Sequence, residues 1–290
     1  MTSSSGVGSS CLALLNGVNL PRVGLGTFRA KGNAVGEAVK WAWEAGIRHF
    51  DTASIYKNEE DIALAMQTVG IPRQSVFITS KISPYELGTD KTRAACEGVL
   101  ERLATDYVDL VLIHWPGTAG KKLNSVQNSI KRMETWKVLE EYYREGRFRA
   151  IGVSNYEVSH ILELLNESGT PPMVNQIEIH PFYQNDAVRR VCLENGIAVV
   201  AYASLGVGNL LKEERIQTIA RRNEKTEAQV LLQWALQQGL AVIPKSVHKD
   251  YIEGFAPSNF EGWELSTSDM QELSEMDCSH RFCWDPSGVI

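Results

Sequence analysis

Two rhythms of apolar and polar positions alternate along the chain. Short runs that are apolar throughout are followed by longer stretches whose apolar positions recur every three or four residues. The apolar runs predict strands at 23–27, 47–53, 76–82, 108–115, 148–155, 173–180, 197–204 and 240–244. The 3.6-periodic stretches predict helices at 33–46, 58–70, 89–104, 129–146, 157–169, 185–196, 213–223, 226–238 and 266–277. In the first of these, Val35, Ala38, Val39, Ala42 and Ala45 share one stripe and Gly46 ends the helix. Ahead of them, LALLNGVNLPRVGLGT (12–27) carries Asn16-Gly17 between apolar flanks, a hairpin signal. Residues 117–128 read as an insertion in one βα-loop, and 279–290 as a tail without periodicity.

The middle strands are apolar on both faces, as strands of a parallel sheet should be. Eight βα repeats in one chain predict an α/β fold, a (β/α)8 TIM barrel with an N-terminal β-hairpin and an extra C-terminal helix. An open doubly wound sheet is the alternative. No domain boundary is visible, so residues 1–290 are expected to form a single domain, with 1–10 flexible.

Composition narrows the function classes. The chain has 290 residues, 43% of them hydrophobic, enough for a large core. A net charge of −6 and a pI near 5.6 argue against nucleic acid or an anionic membrane as partner. The five cysteines, Cys11, Cys96, Cys192, Cys278 and Cys283, form no C-x-x-C pair and suit a reducing compartment. The N-terminus has no basic n-region, its only apolar run (12–15) is short for a signal core, and no run of 18 apolar residues occurs. A cytoplasmic protein, acting as a monomer on a small molecule, is the expectation.

A barrel places its functional residues at the C-terminal ends of its strands. Asp51, Lys81, His114, Ser154, Asn155, Tyr202 and Ser204 sit there, Gln176, Glu178 and His180 lie along the sixth strand, and Lys245 follows the eighth. The stretch HFDTASIY (49–56) runs an apolar stem into Asp51, and a buried carboxylate needs a partner. Lys81 on the neighbouring strand can supply it. Tyr56 would then stand beside the lysine, whose charge should pull the phenol pKa down toward working pH and make it a general acid. His114 could donate to the same substrate oxygen. Asp51 and Lys81 also read as a purely structural pair, and Tyr56 as a pocket-lining aromatic. Glu178 and His180 lack a third metal ligand, so a structural role is preferred and no metal is expected. No G-x-G-x-x-G or P-loop is present. Lys245, Ser246, Val247, His248 and Lys249 after the last strand form a candidate anion site, or a solvated basic turn. With Tyr202 as a stacking ring, they suggest a nucleotide.

From about residue 12 to 286 these residues resemble the aldo-keto reductase family. The motifs are GIRHFDTASIYKNEE (46–60), TSK (79–81), DLVLIHWP (109–116), RAIGVSNY (149–156), PMVNQIEIHP (172–181), AYASLG (201–206) and IPKS (243–246). The tail HRFCWDP (280–286) resembles the branch with protozoal prostaglandin F synthases and microbial 2,5-diketogluconate reductases. The resemblance implies an NADPH-dependent oxidoreductase that reduces aldehydes or ketones, with possible prostaglandin F synthase or keto-sugar reductase activity. It implies a tetrad of Asp51, Tyr56, Lys81 and His114, in which Tyr56 protonates the carbonyl oxygen as hydride reaches the carbon. For NADPH it implies Gly26, Thr27, Phe28 and Asp51; Ser154, Asn155 and Gln176 at the carboxamide; Tyr202 on the nicotinamide; Ala203, Ser204, Leu205 and Gly206 at the pyrophosphate; and Lys245, Ser246, Val247, His248 and Tyr251 at the 2′-phosphate end. For substrate it implies Phe28, Tyr56, Ser83, His114, Trp115 and Trp284.

Several positions depart from the family pattern. Tyr251 stands where an arginine usually grips the 2′-phosphate, which points to weakened NADPH preference, with Lys245 and Lys249 compensating. Ala203-Ser204 replaces Ser-Pro, and the short loop 208–211 suggests fast cofactor release. Phe28 and Ser83 replace tryptophans, giving a wider and less aromatic pocket that Trp284 could close. Lys121 and Lys122 in the insertion could attract an acidic substrate, or simply be solvated. Two rivals remain: a class I aldolase using Lys81 as Schiff base, which a charged lysine disfavours, and a non-catalytic NADP-binding protein, which an intact tetrad disfavours.

Overall fold

The computed structural model describes residues 10–290. In chain order the elements are strands β1 (Cys11–Ala13), β2 (Asn19–Pro21) and β3 (Leu25–Gly26), helix α1 (Asn33–Glu44), β4 (His49–Asp51), α2 (Glu59–Val69), β5 (Phe77–Ile82) and α3 (Thr89–Arg102). There follow β6 (Leu110–Ile113), α4 (Gln127–Arg144), β7 (Ile151–Ser154), α5 (Val158–Glu167), β8 (Val174–Glu178), α6 (Asp186–Glu194) and β9 (Ala198–Tyr202). The chain continues with α7 (Glu214–Arg222), α8 (Glu227–Gln237), β10 (Ala241–Val242), α9 (Lys249–Gly254) and α10 (Thr267–Ser274).

Strands β3 to β10 form one parallel sheet in chain order. Gly24 N donates to Val242 O at 2.9 Å, Gly26 N to Pro244 O at 3.0 Å and Val242 N to Arg22 O at 2.7 Å. These bonds join the first and last strands and close the sheet into the expected barrel rather than the doubly wound alternative. The closure needs glycine: a Cβ on Gly26 would lie 2.8 Å from the Ile243 carbonyl. β5, β6, β7 and β8 are buried at every residue, inside by barrel-filling side chains and outside by helices.

Antiparallel β1–β2 is the expected hairpin, turning at Gly17 (φ 82°). It plugs the N-terminal end of the barrel. Leu14 and Leu20 join Phe77, Leu110, Leu112 and Val200 in one interior cluster. Asn16 Nδ2 ties the turn to Arg149 O at 2.8 Å. Burying Leu20 fully is worth about 1.5–3 kcal/mol.

Two helices start on side-chain caps. Thr226 accepts from Gln229 N at 3.2 Å at the head of α8, and Ser266 accepts from Asp269 N at 3.1 Å at the head of α10, the extra C-terminal helix. Most strands are shorter than their apolar runs. α9 has no counterpart among the expected helices; six residues carry too little periodicity to register. Residues 279–290 form neither helix nor strand, as expected. The flexibility expected for 1–10 lies outside the described residues except for Ser10. No helix among the described residues is long and apolar enough to cross a membrane.

Candidate active site

Three adjacent barrel strands, β4, β5 and β6, bring these polar residues to one mouth. Asp51 is the last residue of β4, Lys81 the fifth of the six residues of β5, and His114 follows β6 directly. Tyr56 ends a 3-10 turn (Ser54–Tyr56) in the loop after β4. Lys81, fully buried, donates from Nζ to Asp51 Oδ1 at 2.5 Å and to Thr52 O at 2.9 Å. The second Asp51 oxygen accepts Gln176 Nε2 at 2.7 Å. Each charge is therefore answered, as burial requires. Burial pulls the Lys81 pKa down by more than Asp51 and Glu59 raise it, so the net shift is downward.

Tyr56 stands over this pair, with Lys81 Nζ 5.3 Å from its ring centroid. Its hydroxyl lies 3.4 Å from His114 Nε2. The expected lowering of the phenol pKa is corrected here. Burial pushes the Tyr56 pKa well above its ordinary value, and the negative charge of Asp51 adds to the rise. Lys81 holds its hydrogen bonds with Asp51 and Thr52 and makes none with the phenol. His114 is pushed down to about 3, by burial first and by Lys81 second, so its ring is neutral. Its Nδ1 has no hydrogen-bond partner. The mouth thus presents two uncharged groups, a phenol and an imidazole, side by side.

The residues expected at an amide-bearing ligand converge beside them. Ser154 Oγ donates to Gln176 O at 2.8 Å. Asn155, in the left-handed region at φ 63°, donates from Nδ2 to His114 O at 2.9 Å and accepts the Tyr202 hydroxyl at 2.7 Å. Thr27 Oγ1 donates to Asp51 O at 2.9 Å, which ties the Gly26–Phe28 segment to the site. Ser204 is turned inward, its hydroxyl 3.4 Å from Ala201 O. Gly206 is buried and Leu205 half-buried against the core. Lys245, His248 and Tyr251 are exposed, Ser246 is buried, and Val247 packs on the core. His248 and Tyr251 meet edge-on at 5.6 Å, and Lys249 pairs with Glu253 at 3.6 Å.

Around the phenol, Phe28 lies 5.1 Å from Tyr56 and 6.4 Å from Trp284 by ring centroids. Ser83 is buried, its N–H held by Glu86 Oε2 at 2.7 Å, and Trp115 is half-buried. Ala119 N bonds Pro84 O at 2.9 Å, so the insertion packs on the Ser83 loop, leaving Lys121 and Lys122 exposed.

Two buried residues escaped sequence reasoning. Asn58 donates to Thr27 O at 3.0 Å and Ala30 O at 2.9 Å and accepts Thr52 Oγ1 at 2.6 Å, fixing the Phe28 loop. In the sequence it is only the first residue of the helical stretch 58–70, with nothing to mark its distant partners. Glu59 accepts Ser80 Oγ at 2.5 Å and Arg102 Nε at 2.7 Å behind Lys81. Its only signal was a charge in the first turn of α2.

A parallel barrel whose mouth gathers a carboxylate-bound lysine, a half-buried phenol and a neutral histidine is the architecture of a barrel oxidoreductase. The chain belongs to the aldo/keto reductase family, whose model matches residues 22–277. It is 40% identical over 287 residues to the 9,11-endoperoxide prostaglandin H2 reductase of Trypanosoma cruzi, covering 97% of this chain and 96% of that one. It is 40% identical over 278 residues to the glyoxal reductase of Bacillus subtilis, covering 96% of each. Among solved structures, a mutant of Gox0644 in complex with NADPH superposes with a TM-score of 0.87 at 35% identity, covering 96% of this chain and 97% of that one.

Proposed function

We propose that this enzyme reduces aldehydes and ketones to alcohols with NADPH, Tyr56 acting as the general acid. The observation that carries the reading is the 3.4 Å approach of the Tyr56 hydroxyl to His114 Nε2 above the Lys81–Asp51 pair. At that spacing both groups can reach one substrate oxygen. The neutral imidazole orients and polarises the carbonyl. The raised phenol keeps its proton at working pH and gives it up only when negative charge gathers on that oxygen, since an alkoxide is the stronger base. The phenolate left behind faces the Lys81 ammonium, so the pair favours the state after proton transfer more than the state before it.

Ser154, Asn155 and Gln176 would hold the carboxamide of NADPH, and Tyr202 would lie on its nicotinamide. NADPH, when bound, supplies the hydride that the carbonyl carbon receives. The donor set fits in part: Asn155 Nδ2 is spent on His114 O and Ser154 Oγ, but its Oδ1 accepts only the Tyr202 hydroxyl and can take a second donor, and Lys245, exposed at the rim, has no ion-pair partner among the described residues. Ser204 fits poorly, because its hydroxyl faces the barrel wall. Lys81, fully buried and doubly hydrogen-bonded, is unsuited to the Schiff-base chemistry of an aldolase. The mouth of Phe28, Tyr56 and Trp284 favours apolar or aromatic carbonyls, a class that admits prostaglandin-like as well as small aldehyde substrates. Cysteine usage supports a reducing, cytoplasmic setting. A panel of carbonyls, followed by loss of NADPH absorbance with wild type and Tyr56→Phe, tests the reading. Wild-type turnover that survives the substitution would refute it.

A further inference from the structure

Trp284 forms one wall of the mouth, yet it is 68% exposed and so is not fixed there by its own burial. Its place must be inherited from neighbours in the tail. That tail is ordered by bonds to the barrel. Cys278 N and His280 N donate to Phe182 O at 3.2 and 3.0 Å, Arg281 pairs with Glu157 at 2.9 Å, and further along His160 Nε2 lies 2.8 Å from Val289 O. Between these anchors stands Glu178, the last residue of β8, 2% exposed and without a part in the chemistry above. Its Oε1 accepts Phe282 N at 2.7 Å and its Oε2 accepts Cys283 N at 3.2 Å. His180 Nε2 lies 3.0 Å from Oε1, so the Glu178–His180 pair that resembled metal ligands serves the tail.

We propose that Glu178 is a positioning residue for substrate: its carboxylate clamps the amides of residues 282 and 283, and this clamp sets Trp284 against Phe28 beside Tyr56. The inference rests on the reading of this site as a carbonyl reductase. A buried carboxylate is costly to leave unanswered, and two of its three donors are tail amides. The tail therefore cannot lift without stripping Glu178 of most of its hydrogen bonds. Both amides sit immediately before Trp284, so the clamp acts where lateral play of the indole would begin. Packing reinforces it, with the Phe282 ring 5.1 Å from His180. Large carbonyls, which reach Trp284, depend on the clamp; small aldehydes, which need only Tyr56 and His114, do not.

Glu178→Gln keeps the side chain's size but turns an N–H toward one tail amide. Cys283→Pro removes one amide from the other side of the clamp, and Cys283→Ala, which keeps that amide, is its control because the thiol neighbours Tyr56 and Tyr202. With NADPH, Glu178→Gln and Cys283→Pro are each expected to raise KM for an extended aromatic aldehyde roughly 10-fold, while KM for propionaldehyde and both kcat values stay within about 2-fold. Independently of turnover, Trp284 emission should shift to the red in these two variants, and the shift should vanish in a Trp284→Phe background. Parallel changes in KM for the two aldehydes, or an unmoved emission, would overturn the clamp. Should wild type reduce neither aldehyde, the reductase reading falls, and the emission shift still decides the clamp. If Glu178→Gln does not fold, Cys283→Pro carries the test alone.

Discussion

Lys81 Nζ and Asp51 Oδ1 meet at 2.5 Å beneath the Tyr56 phenol, both side chains almost wholly excluded from water. Removing one partner leaves a buried charge, whereas removing both leaves none. Lys81→Met should cost about 3–5 kcal/mol of stability, and Asp51→Asn combined with it should cost clearly less than the two changes summed. Urea unfolding of the single and double variants measures this, and strictly additive losses would contradict it.

Tyr56→Phe deletes the proton and little else, because the ring contacts with Phe28 and His114 persist. Turnover should fall by roughly 10²–10⁴ with the melting temperature nearly unchanged. Since burial holds the phenol above its ordinary value, ionisation of Tyr56 should not lower the wild-type rate through the neutral range. A pH–kcat/KM profile that loses its basic limb near neutrality would point to a different acid.

His49 lies fully buried in the barrel wall, bonded to Thr79 Oγ1 at 2.9 Å, and burial pushes its pKa down to about 4. The unfolded chain protonates this group near 6.5 and the folded chain does not. Between those values the unfolded state binds more protons, so stability falls as pH drops from 6.5 toward 4. At pH 4.5 the loss should be about 2–3 kcal/mol. His114, lowered to about 3, acts in the same direction. Chemical unfolding at pH 7 and 4.5 should reveal the loss, and His49→Gln should reduce it.

Where the family usually has an arginine, Tyr251 stands 64% exposed beside His248, and Lys249 is engaged by Glu253. On the proposed reading Lys245 would be the chief cation for a 2′-phosphate. Fluorescence titration should find NADPH favoured over NADH by well under ~10³, and Lys245→Ala should erase much of that preference. A ratio above ~10³ would count against a weakened preference.

Gly206 packs so tightly under Leu210 and Phe282 that a Cβ there would lie 2.5 and 2.8 Å from their side chains. The short loop beyond it, two 3-10 turns at Gly206–Gly208 and Leu210–Lys212, is folded onto the tail. Little chain is left to cover a dinucleotide, so oxidised cofactor should leave quickly. Stopped-flow fluorescence showing release as the slow step of turnover would count against this.

Much of the molecule was legible from residue order. Alternating apolar runs and amphipathic stretches define the barrel, because parallel strands buried on both faces and helices buried on one demand those two periods. Asp51, Lys81 and His114 could be placed by counting along their strands, since strand ends of such a barrel share one rim. Tertiary packing decided the rest. Whether Lys81 bonds the phenol or only the carboxylate depends on side-chain reach across neighbouring strands, and burial then reversed the expected direction of the Tyr56 shift. Asn58, Glu59 and Glu178 matter through partners as much as about a hundred residues away in the chain. A buried polar group declares its purpose only when its partner is in view, and pairing at that distance leaves no local period or spacing to read.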